Sequence, residues 1–323
     1  MARKLYVHVG PRKTATSAIQ YALTQHDNSV VIYPKVGLWR DYSHHGLVYK
    51  FFDEENFASG VEGTTEELFE KVGVETRGSD RNVVISSEAL EFRDTGAFIR
   101  ALLPYVSATP IEVEILVSCR EHFARAASWY NQRVRALKVS EKRNPDKFLE
   151  AKAAEMCYAP LVRKLCQTGF PVTVMNYHPS ENWLARFLMH LGFAQDQIPD
   201  NRSKLVSMSP KALIVGLAVN DAVRSKDTKR KILKAFGKMP NFRSSSKFIF
   251  GREASAIADR YFSVDRDFLL EEYGISLTPP DFASLENELR INSEDLADIA
   301  AVANGLGDPG QKIVKYARQY LAS

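Results

Sequence analysis

Short β-branched segments alternate with helical patterns through the first 180 residues, and this alternation constrains the fold more than any other feature of the sequence. The segments predict five strands, at residues 5–9, 30–33, 83–86, 113–118 and 172–176. Such alternation is typical of βαβ units, whose crossover helices cover a parallel sheet. The sequence therefore predicts an α/β chain with a central, mainly parallel sheet.

Helical patterns lie between and after these strands. Behind the first strand, apolar residues recur with the spacing of one helix face, at Ala15, Ala18, Ile19, Ala22 and Leu23. A second amphipathic pattern covers residues 123–137. Beyond about residue 205 the strand patterns end, and residues 212–223, 254–262 and 296–303 predict helices.

These patterns predict a single domain over residues 1–323, with an α/β core in 1–205 and a helical C-terminal cap in 206–323. The length also allows two domains. Residues 53–63 and 241–251 combine polar residues with glycines or consecutive serines, so both are predicted loops.

Composition excludes several classes of protein. With 45% hydrophobic and 25% charged residues, the chain is not expected to be disordered. No apolar run reaches the roughly 20 residues of a membrane helix. The N-terminus also enters the first strand without the apolar region of a signal peptide. We therefore expect a cytoplasmic protein without a membrane span.

Cysteine usage and net charge narrow the chemistry further. Cys119, Cys157 and Cys166 lack metal-ligand spacing, so free thiols and no zinc site are expected. The 43 basic and 39 acidic residues leave a net charge of +4, which gives no indication of nucleic-acid binding. Any anion site must therefore be local.

The segment Gly-Pro-Arg-Lys-Thr-Ala-Thr-Ser at residues 10–17 lies between the first strand and its helix. Backbone N–H groups at a helix start lack partners and the helix dipole is positive there, so such a loop can bind an anion. Arg12 and Lys13 add charge, and Thr14, Thr16 and Ser17 add hydroxyl groups. The segment predicts a phosphate site, and the alternative is a solvated basic turn.

The same loop departs from the Walker A motif of nucleotide triphosphatases. In the register that begins at Gly10, Ala15 stands at the second glycine and Thr16 stands at the lysine. A nucleotide triphosphatase is therefore disfavoured.

Residues 8–17 resemble the 5′-phosphosulfate loop of sulfotransferases that use 3′-phosphoadenosine 5′-phosphosulfate (PAPS). Ala15 replaces the glycine of that loop and Ser17 replaces its final threonine. The resemblance extends over about residues 5–180 through further motifs. It implies a P-loop-like three-layer fold.

A second motif is similar to the 3′-phosphate element of that family, an arginine at a strand end followed eight residues later by a serine. Arg120 ends the fourth predicted strand and Ser128 follows at that spacing. An arginine fork supplies charge-assisted hydrogen bonds to a phosphate. The alternative is that Arg120 caps a surface helix and Ser128 only packs. Tyr177, at the end of the fifth strand, resembles a tyrosine that helps to hold the nucleotide.

The resemblance implies transfer of a sulfuryl group from PAPS to a hydroxyl or amine of a saccharide or glycoconjugate. Adenosine 3′,5′-bisphosphate would leave, no metal would be needed, and Lys13 would stabilise the leaving oxygen. The implied cofactor-binding residues are Arg12, Lys13, Thr14, Ala15, Thr16, Ser17, Arg120, Ser128 and Tyr177.

Two residues are candidates for the general base. The Tyr-Pro sequence at residues 33–34, followed by a histidine, resembles bacterial carbohydrate-type members and implies His44. Glu88 is the alternative, because it follows the third strand at the edge where α/β sheets bind ligands. His44 is the preferred base. Without catalytic roles, His44 would be a loop histidine and Glu88 would cap a helix.

Two other functions remain open. One is a P-loop kinase that uses ATP and magnesium, and the other is a protein of the same fold that binds a nucleotide or glycan without catalysis. Basic and aromatic residues are candidates for lining a sugar or acidic-polymer cleft, and the alternative is an ordinary surface: Trp39, Arg40, Tyr42, Arg133 and Arg135.

Overall fold

Within the residues that it describes, the structure, a computed structural model, contains one sheet of five strands. In chain order they are β1 (Lys4–His8), β2 (Val31–Ile32), β3 (Asn82–Ser86), β4 (Glu112–Arg120) and β5 (Val172–Tyr177). They lie side by side in the order β2-β3-β1-β4-β5, and every pair is parallel. The predicted α/β class with a mainly parallel sheet is therefore confirmed, and each strand lies where a β-branched segment predicted it.

The structure describes residues 3–26, 28–39, 42–58, 60–107, 110–137, 140–178, 182–198, 208–237, 249–282 and 289–321. The described helices are α1 (Thr16–Gln25), α2 (His45–Phe51), α3 (Glu55–Ala58), α4 (Thr65–Thr76), α5 (Thr95–Val106), α6 (His122–Arg135), α7 (Pro145–Lys152), α8 (Ala159–Cys166), α9 (Trp183–His190), α10 (Pro210–Ala222), α11 (Lys226–Phe236), α12 (Arg252–Tyr273), α13 (Ser293–Ala303) and α14 (Asp308–Ala317). No helix in these ranges is both long enough and apolar enough to cross a membrane.

The chain divides into two units that are discontinuous in sequence. The first contains residues 1–121, 158–203 and 267–277, and the second contains 122–157, 204–266 and 278–323. The expected single boundary near residue 205 is therefore too simple, because residues 122–157 belong with the helical unit.

Helices cover both faces of the sheet in the first unit. Leu5 and Val7 of β1 pack on one face against residues of α2, α4, α5 and α8. Tyr6, between them, packs on the opposite face against residues of α1 and α9. Because alternate residues of a strand point to opposite faces, both faces of the central strand are buried. This arrangement is a three-layer α/β unit.

The described part of the second unit is helical. Residues 212–220 of α10 are all buried, as in a helix surrounded by others. Phe123 and Tyr130 of α6 join the core that α10 shares with α7. The apolar face of α6 therefore packs in a helical core, which explains why residues 122–157 lie outside the α/β unit.

The two predicted loops have different outcomes. Within residues 53–63 the structure places the short helix α3, so this segment is not wholly irregular. Most of residues 241–251 lies outside the described residues. Ile249 and Phe250 are described, and both are buried in the core of the second unit.

Candidate functional site

The candidate site residues of the first unit follow the carboxyl ends of the parallel strands. The loop at residues 9–15 follows β1, Glu88 follows β3, Arg120 ends β4 and Tyr177 ends β5. Parallel strands end at one edge of a sheet, and open α/β sheets bind ligands there. The chain thus gathers residues that are up to 168 positions apart at that edge.

The loop after β1 has a strained backbone. Lys13 and Ala15 have positive φ angles, 70° and 63°, which L residues rarely adopt. Ala15 is the residue that precedes α1, and no side chain of a described residue caps that helix start. A glycine would suit this conformation better than Ala15, because glycine has no Cβ.

Gly10 lets the loop pass close to the start of α1. A Cβ atom at Gly10 would lie 2.3 Å from Thr16 Oγ1 and 3.0 Å from His8 Cε1, so no side chain fits there. The backbone of the loop is thereby held against the first turn of α1. Within the loop, the backbone N–H of Arg12 donates to Glu91 Oε2 and that of Thr14 donates to Pro11 O, so the N–H groups at the start of α1 are the ones suited to an anion.

The hydroxyl groups of the loop have different environments. Thr14 is buried, and its hydroxyl donates to Pro11 O at 2.6 Å. This proton is used within the loop, so the expectation that Thr14 donates to a phosphate is not supported by this geometry. Thr16 Oγ1 is buried without a hydrogen bond of normal geometry to the described residues. Ser17 is exposed in the first turn of α1.

The two cations of the loop point to different neighbours. The Arg12 guanidinium lies 4.8 Å from the centre of the Phe92 ring, in the 3-10 turn Glu88–Phe92. The backbone N–H of Arg12 donates to Glu91 Oε2 at 3.4 Å. Lys13 instead acts electrostatically on Glu88. Arg12 also lowers the pKa of Glu88, but Lys13 has the larger effect, so it is the loop cation that interacts more strongly with this candidate catalytic residue.

Glu88 has a raised pKa. Burial raises the pKa of its carboxyl, whereas Lys13 and the Thr16 hydroxyl oppose this effect and lower the pKa. Ser87 caps the following turn by accepting from the Ala89 N–H at 3.2 Å, so Glu88 does not supply the cap. The carboxyl of Glu88 therefore lies beside the loop with a proton affinity above the ordinary value.

Arg120 reaches the loop from β4. Its Nη1 donates to Lys13 O at 3.4 Å, and its guanidinium lies 5.2 Å from the centre of the Tyr177 ring. Tyr177 is paired with Arg120 in the sheet register. The Arg120 Nε is buried and has no hydrogen-bond partner among the described residues. A buried guanidinium nitrogen in this state is suited to an anionic ligand.

His44 occupies a structural position. It is fully buried, its Nδ1 accepts from the Ser86 N–H at 3.1 Å, and its Nε2 donates to Pro34 O at 2.8 Å. Burial lowers the pKa of His44 to about 4. Both ring nitrogens serve backbone groups, so neither is available to an acceptor. This geometry contradicts the expectation that His44 is the general base. It also contradicts the alternative that His44 is an ordinary loop histidine.

A group of aromatic side chains surrounds Tyr49. We call Trp39, Tyr49 and Phe57 the aromatic wall. The ring centre of Tyr49 lies 6.2 Å from that of Trp39 and 5.4 Å from that of Phe57. Burial raises the pKa of the Tyr49 hydroxyl, Arg93 lowers it from 5.2 Å above the ring centre, and Glu88 makes a smaller contribution that raises it, so Tyr49 is within electrostatic range of Glu88. Phe57 is 58% exposed. His45, one turn before Tyr49, hydrogen-bonds through Nδ1 to Ser87 Oγ at 2.8 Å.

Other sequence-based candidates lie elsewhere. Ser128, Arg133 and Arg135 are on α6, in the second unit. Arg40 lies outside the described residues. Tyr42 uses its backbone oxygen to accept from the Tyr33 hydroxyl at 2.7 Å.

Comparison with known proteins gives no family for this chain. No protein-family model matches it, and no curated protein matches it either.

Replacement of Ala15 tests the strained loop. Ala15→Gly is expected to raise the free energy of unfolding by up to about 1 kcal/mol. Glycine removes about 1–2 kcal/mol of left-handed strain, while it adds about 0.4–1 kcal/mol of unfolded-chain entropy. Ala18→Gly, inside α1, is the control and is expected to lower the free energy of unfolding by about 0.5–1 kcal/mol. Urea denaturation measures both. Equal losses in the two variants would contradict the positive φ at Ala15.

Acidification tests the burial of His44. The pKa of His44 falls from 6.5 to about 4 on folding, so the unfolded chain binds more protons in that window and stability decreases as the pH falls through it. His44→Gln is expected to make the free energy of unfolding less dependent on pH between about pH 7 and about pH 5.

Gln20→Ala is the control for this experiment. Gln20 is also buried and donates to Ser86 Oγ at 3.1 Å, but it does not titrate. Its removal should lower stability without changing the slope against pH. An unchanged slope in His44→Gln would show that folding does not lower the pKa of His44.

Proposed function

We propose that this chain is a PAPS-dependent sulfotransferase that acts on a hydroxyl of a saccharide or glycoconjugate. The observation that carries the proposal is the hydrogen bond from Arg120 Nη1 to Lys13 O, at 3.4 Å. It joins the two motifs that resemble the phosphate-binding elements of that family, although 107 residues separate them in sequence. One ligand with two anionic groups would use both motifs.

The donor groups at this edge of the sheet fit such a ligand. Arg120 Nε is buried without a hydrogen-bond partner among the described residues, and an anion would satisfy this polar group. The strand order, with β1 between β3 and β4, further supports a P-loop-like arrangement around the loop. We assign the 5′-phosphosulfate to the loop and the 3′-phosphate to Arg120. Ser128 stays a sequence-based prediction.

In the proposed reaction, the acceptor oxygen forms a bond to sulfur while the bond from sulfur to the 5′-phosphate oxygen breaks. The hydroxyl proton passes to the base, and adenosine 3′,5′-bisphosphate leaves with the bonding electron pair. Lys13 provides positive charge where negative charge grows on the departing oxygen. The loop holds the anion in place, so its backbone acts by positioning.

Glu88 replaces His44 as the proposed base. A base must have a lone pair directed at the acceptor and a pKa near the working pH. Burial moves the pKa of Glu88 upwards, towards that range. Its position beside Lys13 also puts proton acceptance close to the group that stabilises the leaving oxygen. His44 fulfils neither requirement, because its nitrogens bind Ser86 and Pro34.

The aromatic wall supports an acceptor with a ring. Exposed aromatic faces bind apolar ring surfaces, and binding pockets combine such faces with a few polar groups. Tyr49 carries a hydroxyl that acts electrostatically with Glu88, and Phe57 is open to solvent. A sugar ring on this wall would present its hydroxyl groups to Glu88. This is why a saccharide acceptor is proposed over a small inorganic or nucleotide acceptor.

Ligand-dependent unfolding tests the proposed cofactor. Adenosine 3′,5′-bisphosphate is expected to stabilise the folded protein, by about 2.7 kcal/mol at 100 times its dissociation constant, whereas ATP with magnesium is not. Thermal unfolding with each ligand provides the measurement. The reverse response would favour a P-loop kinase, and no response to either ligand would exclude both enzymes.

Transfer itself is detected by incubation with PAPS and a panel of glycans, followed by mass spectrometry for an added sulfo group. Stabilisation by the bisphosphate without any transfer would favour a protein that binds nucleotide without catalysis.

Glu88→Gln tests the base. It is expected to lower kcat by on the order of 10² to 10⁴ while the affinity for adenosine 3′,5′-bisphosphate stays within a few fold, because the amide cannot accept the proton. Glu91→Gln, on the same 3-10 turn, is the control and should retain most of the activity. Initial rates at saturating PAPS measure both variants. Wild-type kcat in Glu88→Gln would remove Glu88 from the reaction.

A further inference from the structure

Tyr158 binds the main chain of Arg120 through a single hydroxyl group. The Arg120 N–H donates to Tyr158 Oη at 2.9 Å, and the Tyr158 hydroxyl donates to Arg120 O at 2.7 Å. Tyr158 is 38 residues from Arg120 and has no part in the motifs that the sequence reveals. The two bonds use the donor and the acceptor capacity of the hydroxyl at once.

These bonds replace strand pairing at the end of β4. The N–H and C=O of one strand residue point to the same side, where a neighbouring strand normally binds them. The register of β4 with β1 ends at Leu116, four residues before Arg120. The hydroxyl of Tyr158 therefore supplies the two main-chain hydrogen bonds to Arg120 that a neighbouring strand would otherwise supply. It thereby fixes the backbone from which the Arg120 guanidinium projects.

Tyr158 itself is rigidly placed. It is fully buried and immediately precedes α8. Its ring packs in an apolar cluster whose other buried members are Cys119, Leu269, Ile275 and Leu277. A side chain held on all sides positions its hydroxyl with little freedom. The position of Arg120 is thus determined by a packed core and not by the loop alone.

The side chain of Arg120 depends on that backbone. Its guanidinium must reach Lys13 O and lie over the Tyr177 ring at the same time, while its Nε stays buried without a partner among the described residues. A guanidinium that is preorganised in this way binds a phosphate without losing much side-chain entropy. If the backbone could shift, the same contacts would form only part of the time.

We propose that Tyr158 is a positioning residue that determines how well the protein distinguishes nucleotides with a 3′-phosphate from those without it. The proposal rests on the proposed function, because that function assigns the 3′-phosphate to Arg120. In this role Tyr158 does not contact the ligand and acts only through Arg120.

Tyr158→Phe is the test, since it keeps the ring in the apolar cluster and removes both hydrogen bonds. Binding is measured by titration calorimetry with adenosine 3′,5′-bisphosphate and with adenosine 5′-monophosphate. The variant should bind the bisphosphate about tenfold more weakly and the monophosphate as the wild type does. A loss shared equally by the two ligands would overturn the proposal.

Tyr130→Phe is the matched control. Tyr130 is also fully buried, and its hydroxyl donates to Arg143 O at 2.8 Å in the second unit. Removal of this hydroxyl should lower thermal stability without changing the ratio of the two affinities. If Tyr130→Phe also changed the ratio of the two affinities, loss of any buried tyrosine hydroxyl would change it. That result would also overturn the proposal.

Arg120→Ala separates this proposal from the proposed function. It should lower the affinity for the bisphosphate strongly, and the double variant Tyr158→Phe, Arg120→Ala should bind no more weakly than Arg120→Ala alone. Additive losses would show that Tyr158 does not act through Arg120 and would overturn only the positioning role. If Arg120→Ala left the bisphosphate affinity unchanged, the assignment of the 3′-phosphate would fail as well.

Discussion

The parallel pairing of β1 with both β3 and β4 determines where the candidate residues of the first unit lie. Because all five strands run in the same direction, the segments that follow them meet at one edge. The chain leaves β1 towards β2 on one side of the sheet and leaves β4 towards β5 on the other. Such a reversal opens a crevice at the strand ends. The loop after β1 and Arg120 at the end of β4 border this crevice.

The loop fits the crevice at the expense of backbone strain. Two L residues, Lys13 and Ala15, adopt positive φ, and a conformation of this kind persists only where surrounding contacts enforce it. Two such contacts are present: Thr14 closes the loop onto Pro11, and Gly10 lets it touch Thr16. The strained conformation of this loop therefore depends on contacts within the loop and with the start of α1.

The sequence predicted what depends on local pattern and missed what depends on distant contacts. All five strands were predicted because β-branched runs report burial directly. The packing of α6 in the second unit was not predicted, because an apolar face such as that of Phe123 and Tyr130 can pack on a sheet or in a helical core equally well. His44 was misjudged for a similar reason, since the backbone group that binds its Nδ1 belongs to Ser86, 42 residues away. The hydroxyl of Tyr158 has no signature in sequence at all.

In the proposed reaction, Lys13 and Glu88 would link anion binding to proton acceptance. In the folded protein, burial raises the pKa of Glu88 and the charge of Lys13 partly offsets this effect. An anion bound to Lys13 would screen that charge, so the proton affinity of Glu88 would rise further. In the proposed reaction, Glu88 would thus become a stronger base only once the phosphosulfate is in place. The same cation would then regain influence over Glu88 as the bisphosphate departs, which favours release of the proton.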